Sequence, residues 1–213
     1  MCFYVKAQAT MQELQDRFEA EPLETEGYEP QDKVNGFAMP YLPVITQEDP
    51  DKIQLFRWGL IPNWASPEKA SELAKMTLNA KSETLYEKPS FKGSVQQRCL
   101  VLVSGFYEWR HQGATKIPYY IHLNDTPLFA LGGLYSHWQN RQTGTQIPTF
   151  TIITTPANEL MEYIHNTKKR MPFVVNPALE KEWIRPNLKR NEMTQFMHPL
   201  EQQLMASEVI GAS

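Results

Sequence analysis

The sequence predicts an α+β fold with a mostly antiparallel, barrel-like sheet core and short peripheral helices. Five runs rich in β-branched and aromatic residues carry the strand signal. They are IQLFRWGL (53–60), RCLVLVSGFYEW (98–109), IPYYIHL (117–123), PLFALGGLYSHW (127–138) and TFTIIT (149–154), punctuated by Gly, Pro, Asn and Asp. The helix signals are short and sit at intervals around this block. Strands and helices do not alternate as βαβ units, so a doubly wound parallel sheet is not expected.

In chain order, TMQELQDRFEA (10–20) places Met11, Leu14 and Phe18 on one helical face. Three later helix starts share a capping residue followed by proline: Ser66-Pro67, Thr155-Pro156 and Asn176-Pro177. Proline suits the first helical position because its missing N–H has no intrahelical partner there. These signals predict helices over SPEKASELAK (66–75), TPANELMEYI (155–164) and NPALEKEWI (176–184), and a short helix is expected after Asn79. There are no repeats and no low-complexity linker, so residues 1–213 read as one domain.

Hydrophobic residues at 41% and charged residues at 21% are globular proportions. No apolar run is long enough to span a bilayer, and no basic n-region precedes an apolar stretch. The expectation is a cytoplasmic chain without a membrane partner, in which Cys2 and Cys99 are thiols. A net charge of −3 excludes a globally basic nucleic-acid binder and leaves room for a local positive groove. Acids gather in residues 19–32, whereas Lys81, Lys88, Lys92, Arg98 and the KKR of residues 168–170 supply positive clusters.

Cys2 raises the sharpest chemical question. Once Met1 is removed, the residue carries an α-amine and a thiol on adjacent carbons. Their ordinary pKa values, about 7.7–8.0 and about 8.5, leave both partly nucleophilic near neutrality. Such a 1,2-aminothiol condenses with an aldehyde to an imine, and the thiol then closes a five-membered thiazolidine. Position alone slightly favours a chance cysteine in a frayed terminus. Glu108 lies among Phe106, Tyr107 and Trp109, where desolvation would raise its pKa towards proton-transfer range. Strand alternation would put it on the face of Phe106, opposite Tyr107 and Trp109. An outward-facing strand residue is the plainer reading. His165 follows a predicted helix and precedes the basic cluster, in a loop where functional residues concentrate; His111, His122, His137 and His198 are its competitors. Asn79 fits an N-cap or a catalytic amide. No paired Cys/His spacing, HExxH or phosphate-binding loop is present, so neither metal nor cofactor is expected. Cys99, Trp58, Trp109 and Trp138 are assigned to the core.

Taken in order, Met1-Cys2, FRWGLIPNW (56–64), LNAKSET (78–84), Phe91, SGFYEW (104–109) and IHNTKKRMP (164–172) resemble the SOS-response-associated peptidase (SRAP) family over nearly the whole chain. The resemblance implies single-stranded DNA binding and a covalent crosslink to abasic sites through the N-terminal cysteine. It implies Cys2 as nucleophile, Asn79 holding Cys2, Glu108 shuttling protons and His165 protonating the sugar ring oxygen. Lys81 and Arg170 would meet phosphates, Trp64 and Pro40 would wedge bases apart, and Asn35 would line the same groove. The implied partner is single-stranded DNA with abasic sites, bound by a monomer with no obligatory protein partner, nucleoid-associated when on DNA. Departures are concentrated in a few places. The start reads Cys2-Phe3-Tyr4-Val5 instead of Cys-Gly-Arg-Phe, Asn63-Trp64-Ala65 keeps one tryptophan, and Lys81 replaces a common arginine. NGFAMP (35–40) and HNTKKRMP (165–172) are longer than usual, and residues 198–213 match poorly. Two other classes of function fit part of the pattern: a thiol peptidase using Cys2 with His165 as base, and a non-covalent single-strand-binding module.

Overall fold

A computed structural model of the chain describes residues 2–211. It contains thirteen strands and six α-helices. The strands are β1 (Tyr4–Ala7), β2 (Glu21–Pro22), β3 (Gln31–Asn35), β4 (Tyr41–Thr46), β5 (Lys52–Trp58), β6 (Asn79–Lys81), β7 (Arg98–Val103), β8 (Gly105–Gln112), β9 (Thr115–Leu123), β10 (Phe129–Gln139), β11 (Gln146–Pro156), β12 (Arg170–Pro172) and β13 (Met205–Val209). The helices are α1 (Met11–Phe18), α2 (Pro67–Met76), α3 (Pro89–Lys92), α4 (Glu159–Ile164), α5 (Glu180–Trp183) and α6 (Arg190–Phe196).

Two sheets organise the strands, and the fold is the expected α+β class. One sheet has five strands in the order β13-β9-β8-β1-β3, with every pairing antiparallel. In the other, β11 pairs with β10, β10 with β7, β7 with β4 and β4 with β5, all antiparallel. A parallel pairing of β5 with β11, Thr149↔Arg57 and Phe150↔Trp58, closes this series into a five-stranded barrel. Closure leaves no free edge within the ring. The strands β7, β10 and β11 read as long apolar runs because both faces are covered, by the barrel interior and by packed helices. Burying each of their large aliphatic side chains contributes about 1.5–3 kcal/mol.

The N-terminal strand enters the five-stranded sheet between two partners. β1 pairs with β3 on one side and with β8 on the other, in the register Tyr4↔Tyr107, Val5↔Phe106 and Lys6↔Gly105. Gly105 permits this crowding: a Cβ there would meet the Ile121 carbonyl oxygen at 2.7 Å as well as the Tyr120 ring.

The helices show where local signals held and where they yielded. α1 follows Thr10, which forms a capping box with Glu13, and it buries Leu14 and Phe18. α2 begins after Ser66 with Pro67 in its first turn, as expected, although the Ser66 side chain makes no capping bond. The Asn176-Pro177 signal launches only a 3₁₀ turn at Pro177–Leu179 before α5. The Thr155-Pro156 start is corrected. β11 runs through Pro156, which pairs with Arg170 of β12, and Asn158 instead caps α4 by accepting from the Met161 N–H. The helix expected after Asn79 is also corrected. Asn79 opens strand β6, which pairs in parallel with β11, and the next helix is α3.

Candidate active site

Cys2 lies just ahead of β1 and is 0% exposed, packed in the main apolar cluster beside residues of both sheets. Its carbonyl accepts a 2.9 Å hydrogen bond from Asn79 Nδ2. Its Sγ approaches the Tyr4 carbonyl oxygen at 3.8 Å. Burial pushes the thiol pKa up, and the charge of Glu108 pushes it further. The terminal cysteine is thus ordered and protonated in this state, not frayed. Met1 lies outside the described residues.

β8 brings Glu108 to this place. Phe106 and Glu108 are 0% and 5% exposed, and the alternation is as expected, because Tyr107 and Trp109 share the other face, where Lys33 Nζ lies over both rings. Burial lifts the Glu108 carboxyl to about 7. A group with that pKa exists in both forms near neutrality and can accept or donate a proton. His165 caps the C-terminus of α4, where its N–H donates to the Met161 carbonyl at 2.7 Å. Its Nδ1 lies 2.8 Å from the Arg170 carbonyl oxygen. A carbonyl only accepts, so Nδ1 carries the proton and Nε2 the lone pair. The same Nδ1 lies 3.8 Å from Glu108 Oε1. Burial holds the His165 pKa below the ordinary histidine range.

A cleft of about 500 Å³ opens onto these groups. Phe3, Tyr4, Glu108 and Trp109 line it together with His111, Lys116, His165, Thr167 and Lys168. Its mouth therefore carries two lysines, and one wall carries the Tyr4–Trp109 edge-to-face pair at 5.0 Å. A larger groove of about 1020 Å³, lined in part by Lys6, Arg17, Tyr120 and His122, contains none of the four catalytic candidates.

The structure thus gathers Cys2, Asn79, Glu108 and His165 into one neighbourhood. Of the expected DNA-contacting residues, Asn35 and Pro40 flank a 3₁₀ turn that reaches the site. Asn35 Oδ1 accepts from the Phe37 N–H at 3.0 Å, Gly36 N–H donates to the Phe3 carbonyl at 2.8 Å, and the Phe37 ring packs on Phe3 at 4.7 Å. The Pro40 carbonyl accepts from Trp58 N–H. Trp64 is 55% exposed and donates from Nε1 to the Pro89 carbonyl at 3.2 Å. Lys81 is exposed and leaves the same face of β6 as Asn79, with buried Ala80 between them. Arg170 is placed differently from an open phosphate contact. It is buried, and its guanidinium is engaged by both oxygens of Glu83 and by Thr154. Glu83 is correspondingly held down to about 2, chiefly by its hydrogen bonds from Arg170.

Lys116 and Phe37 escaped sequence reasoning, which marks Lys168 and His111 only as part of a basic cluster and as a competing histidine. Lys116, Lys168 and His111 reach the cleft from the β8–β9 hairpin and the His165 loop. Phe37 is an exposed aromatic stacked against Phe3. The core assignment of Trp109 is corrected: it is half-buried on the cleft wall, with Lys33 Nζ 4.8 Å from its ring centre. Trp58, Trp138 and Cys99 are buried as assigned. Among the described residues, no three His, Cys, Asp or Glu side chains gather as a metal site. No helix among them is long and apolar enough to cross a membrane.

The chain is similar in sequence to known proteins and in fold to solved structures. Abasic site processing protein YoqW of Bacillus subtilis is 45% identical over 147 residues, covering 68% of this chain and 62% of that protein. Abasic site processing protein HMCES of Xenopus tropicalis is 29% identical over 180 residues, covering 73% of this chain and 53% of that one. The matches thus span between half and two thirds of the length of these relatives. A crystal structure of a protein from Bacteroides thetaiotaomicron superposes with a TM-score of 0.95 at 40% identity, covering 99% of this chain and 92% of that one. A second, from Bordetella bronchiseptica, shares the fold with a TM-score of 0.84 at 22% identity, covering 99% of this chain and 100% of that one. The model of the SOS response associated peptidase (SRAP) family matches residues 1–212, and the chain belongs to that family.

Proposed function

We propose that the chain acts in abasic-site DNA repair, binding single-stranded DNA and capturing the ring-opened aldehyde of an abasic site on Cys2. The carrying observation is that Cys2, its carbonyl held by Asn79, lies within reach of the charge of Glu108, which lines one cleft together with His165. Several relatives carry the name abasic site processing protein, which supplies the substrate class.

The reaction runs in two stages. The α-amine left by removal of Met1 attacks C1′, and the carbinolamine loses one water to give an imine. The Cys2 sulfur then adds to the imine carbon, its proton passes to the nitrogen, and a thiazolidine closes. The raised thiol pKa fits this order. A protonated thiol does not compete for the aldehyde, and the cationic imine beside it then favours the thiolate. Glu108, titrating at about 7, takes the amine proton and returns one to the departing hydroxyl. A protonated His165, made a stronger acid by its low pKa, opens the sugar by protonating the ring oxygen. Asn79 fixes the carbonyl of Cys2 and hence the direction of its amine and thiol. Lys81, Lys116 and Lys168 meet the phosphates, while Trp64 and Phe37 offer stacking faces.

The peptidase reading is disfavoured by the same thiol. Thiol hydrolases lower the pKa of their cysteine, whereas burial and Glu108 raise that of Cys2. The test is incubation of Met1-processed protein with a single-stranded oligonucleotide carrying one abasic site. A heat-stable adduct on a denaturing gel is expected. Its absence, or an equally stable adduct with Cys2→Ala, overturns the proposal, and turnover of a peptide panel that depends on Cys2 would revive the peptidase reading.

A further inference from the structure

Among the described residues, the edge of β8 beyond Tyr107 has no strand paired to it on the β1 side, because β1 pairs with β8 only from Gly105 to Tyr107. That stretch carries Glu108 and His111. An amide side chain takes the place of the missing strand. Asn166 Oδ1 accepts from the His111 N–H at 3.1 Å, and Asn166 Nδ2 donates to the His111 carbonyl at 2.8 Å. One side chain thus makes both hydrogen bonds that a neighbouring strand residue would make.

Asn166 is the residue after His165. The loop is anchored at its other end too: Lys169 N–H donates to the His165 carbonyl at 2.9 Å, and the Lys169 carbonyl accepts from Ala157 N–H at 3.1 Å. Those bonds hold the loop to itself and to the end of β11. The Asn166 pair is different in kind, since it holds the loop to the strand that carries Glu108. A second link between the same elements, from the Arg110 guanidinium to the Tyr163 carbonyl, holds α4 and not the loop.

We propose that Asn166 is a positioning residue that sets the separation of His165 from Glu108 by clamping the histidine loop to β8. The inference deepens the crosslinking reading and rests on it for its kinetic consequence. A displacement of about 1 Å between proton-transfer groups costs up to about 100-fold in rate. Lys168 and Thr167 on the loop would move with His165, so the mouth of the cleft would widen as well.

The test uses the Met1-processed full chain. In Asn166→Ala, the saturating rate of adduct formation with an abasic oligonucleotide should fall at least tenfold. The half-saturating DNA concentration should stay within about threefold, and the pH profile of the rate should shift. A second readout needs no DNA. The His165 ring is titrated by NMR in both proteins. Burial, the main cause of its low pKa, is relieved when the loop detaches, so the His165 pKa should rise in the variant towards the ordinary value of about 6.5. The charges facing this ring are the amine at the start of the chain, Glu108 and His111 from β8 and Lys168 from its own loop. An unchanged rate and an unchanged His165 titration overturn the clamp. If the wild type forms no adduct, the proposed function fails, and the titration alone decides the clamp. If Asn166→Ala does not fold, the same two measurements on Asn166→Ser decide, since serine is uncharged and too short to bond both the N–H and the carbonyl of His111.

Discussion

Cys2 and Cys99 share their side chain, their burial and the direction of their pKa shift, yet their surroundings differ. Both are 0% exposed, and burial raises both thiols. Cys99 sits in β7, paired with Gly133 and Thr46, and desolvation is the whole of its perturbation. Cys2 adds a nearby carboxylate, an amide on its carbonyl and a histidine in the adjoining cleft. The difference teaches that burial of a thiol is neutral as a sign of function. The groups that can move protons around it carry the information.

That contrast breaks most sharply by deletion. Cys2→Ala should abolish the heat-stable adduct, whereas Cys99→Ala should form it at the wild-type rate. Equal loss in both variants would remove the distinction. Glu108→Gln comes next, with adduct formation slowed about 10²- to 10⁴-fold in a single-turnover assay. The same substitution has a stability signature. Glu108 titrates at about 7 in the folded chain against 4.5 when solvated, so the fold favours its protonated form. Below pH 4.5 both states are protonated and nothing is lost. As pH rises through 7, the wild type buries a carboxylate that unfolding would return to water. Glu108→Gln should therefore gain stability relative to the wild type between about pH 5 and pH 8, by about 3 kcal/mol at most, measured by urea unfolding.

Asn79→Ala removes one hydrogen bond from the Cys2 carbonyl and should slow capture about tenfold, consistent with about 1–2 kcal/mol. Binding of an intact single strand should hardly change. Lys116→Gln with Lys168→Gln should act the other way. Affinity falls several-fold and the salt dependence flattens, by about 0.7 in log–log slope for each phosphate left without its lysine. The capture rate at saturation should be retained. The smallest effect belongs to Cys99→Ala, a stability loss of about 1 kcal/mol from the vacated volume in β7.

The strand runs and the Glu108 face were legible because alternation against a covered sheet is a local pattern. The error at Asn79 was of another kind. β6 is three residues long and exists through its parallel pairing with β11, about 70 residues away, which no local propensity reports. Pro156 likewise ends a strand because β12 lies beside it, not because a helix begins. Trp109 looked like core by composition. Its actual surroundings come from Tyr4 on β1 and Lys33 on β3, both supplied by the sheet order. Cys2 and His165 were singled out by their chemistry and His165 also by its loop, the candidate DNA-contacting residues were reached through motif order, and the Asn166 contact was hidden because it substitutes a side chain for backbone.

The position of β1 between two partners has a consequence in time. Residues made early are placed late, because β1 must await β8 about a hundred residues later and His165 later still. At about 5–20 residues per second, Cys2 spends roughly 10–30 s in synthesis before its neighbours exist. In the folded chain Cys2 is wholly covered. That interval leaves the Cys2 segment open to solvent before the strands that enclose it have been made.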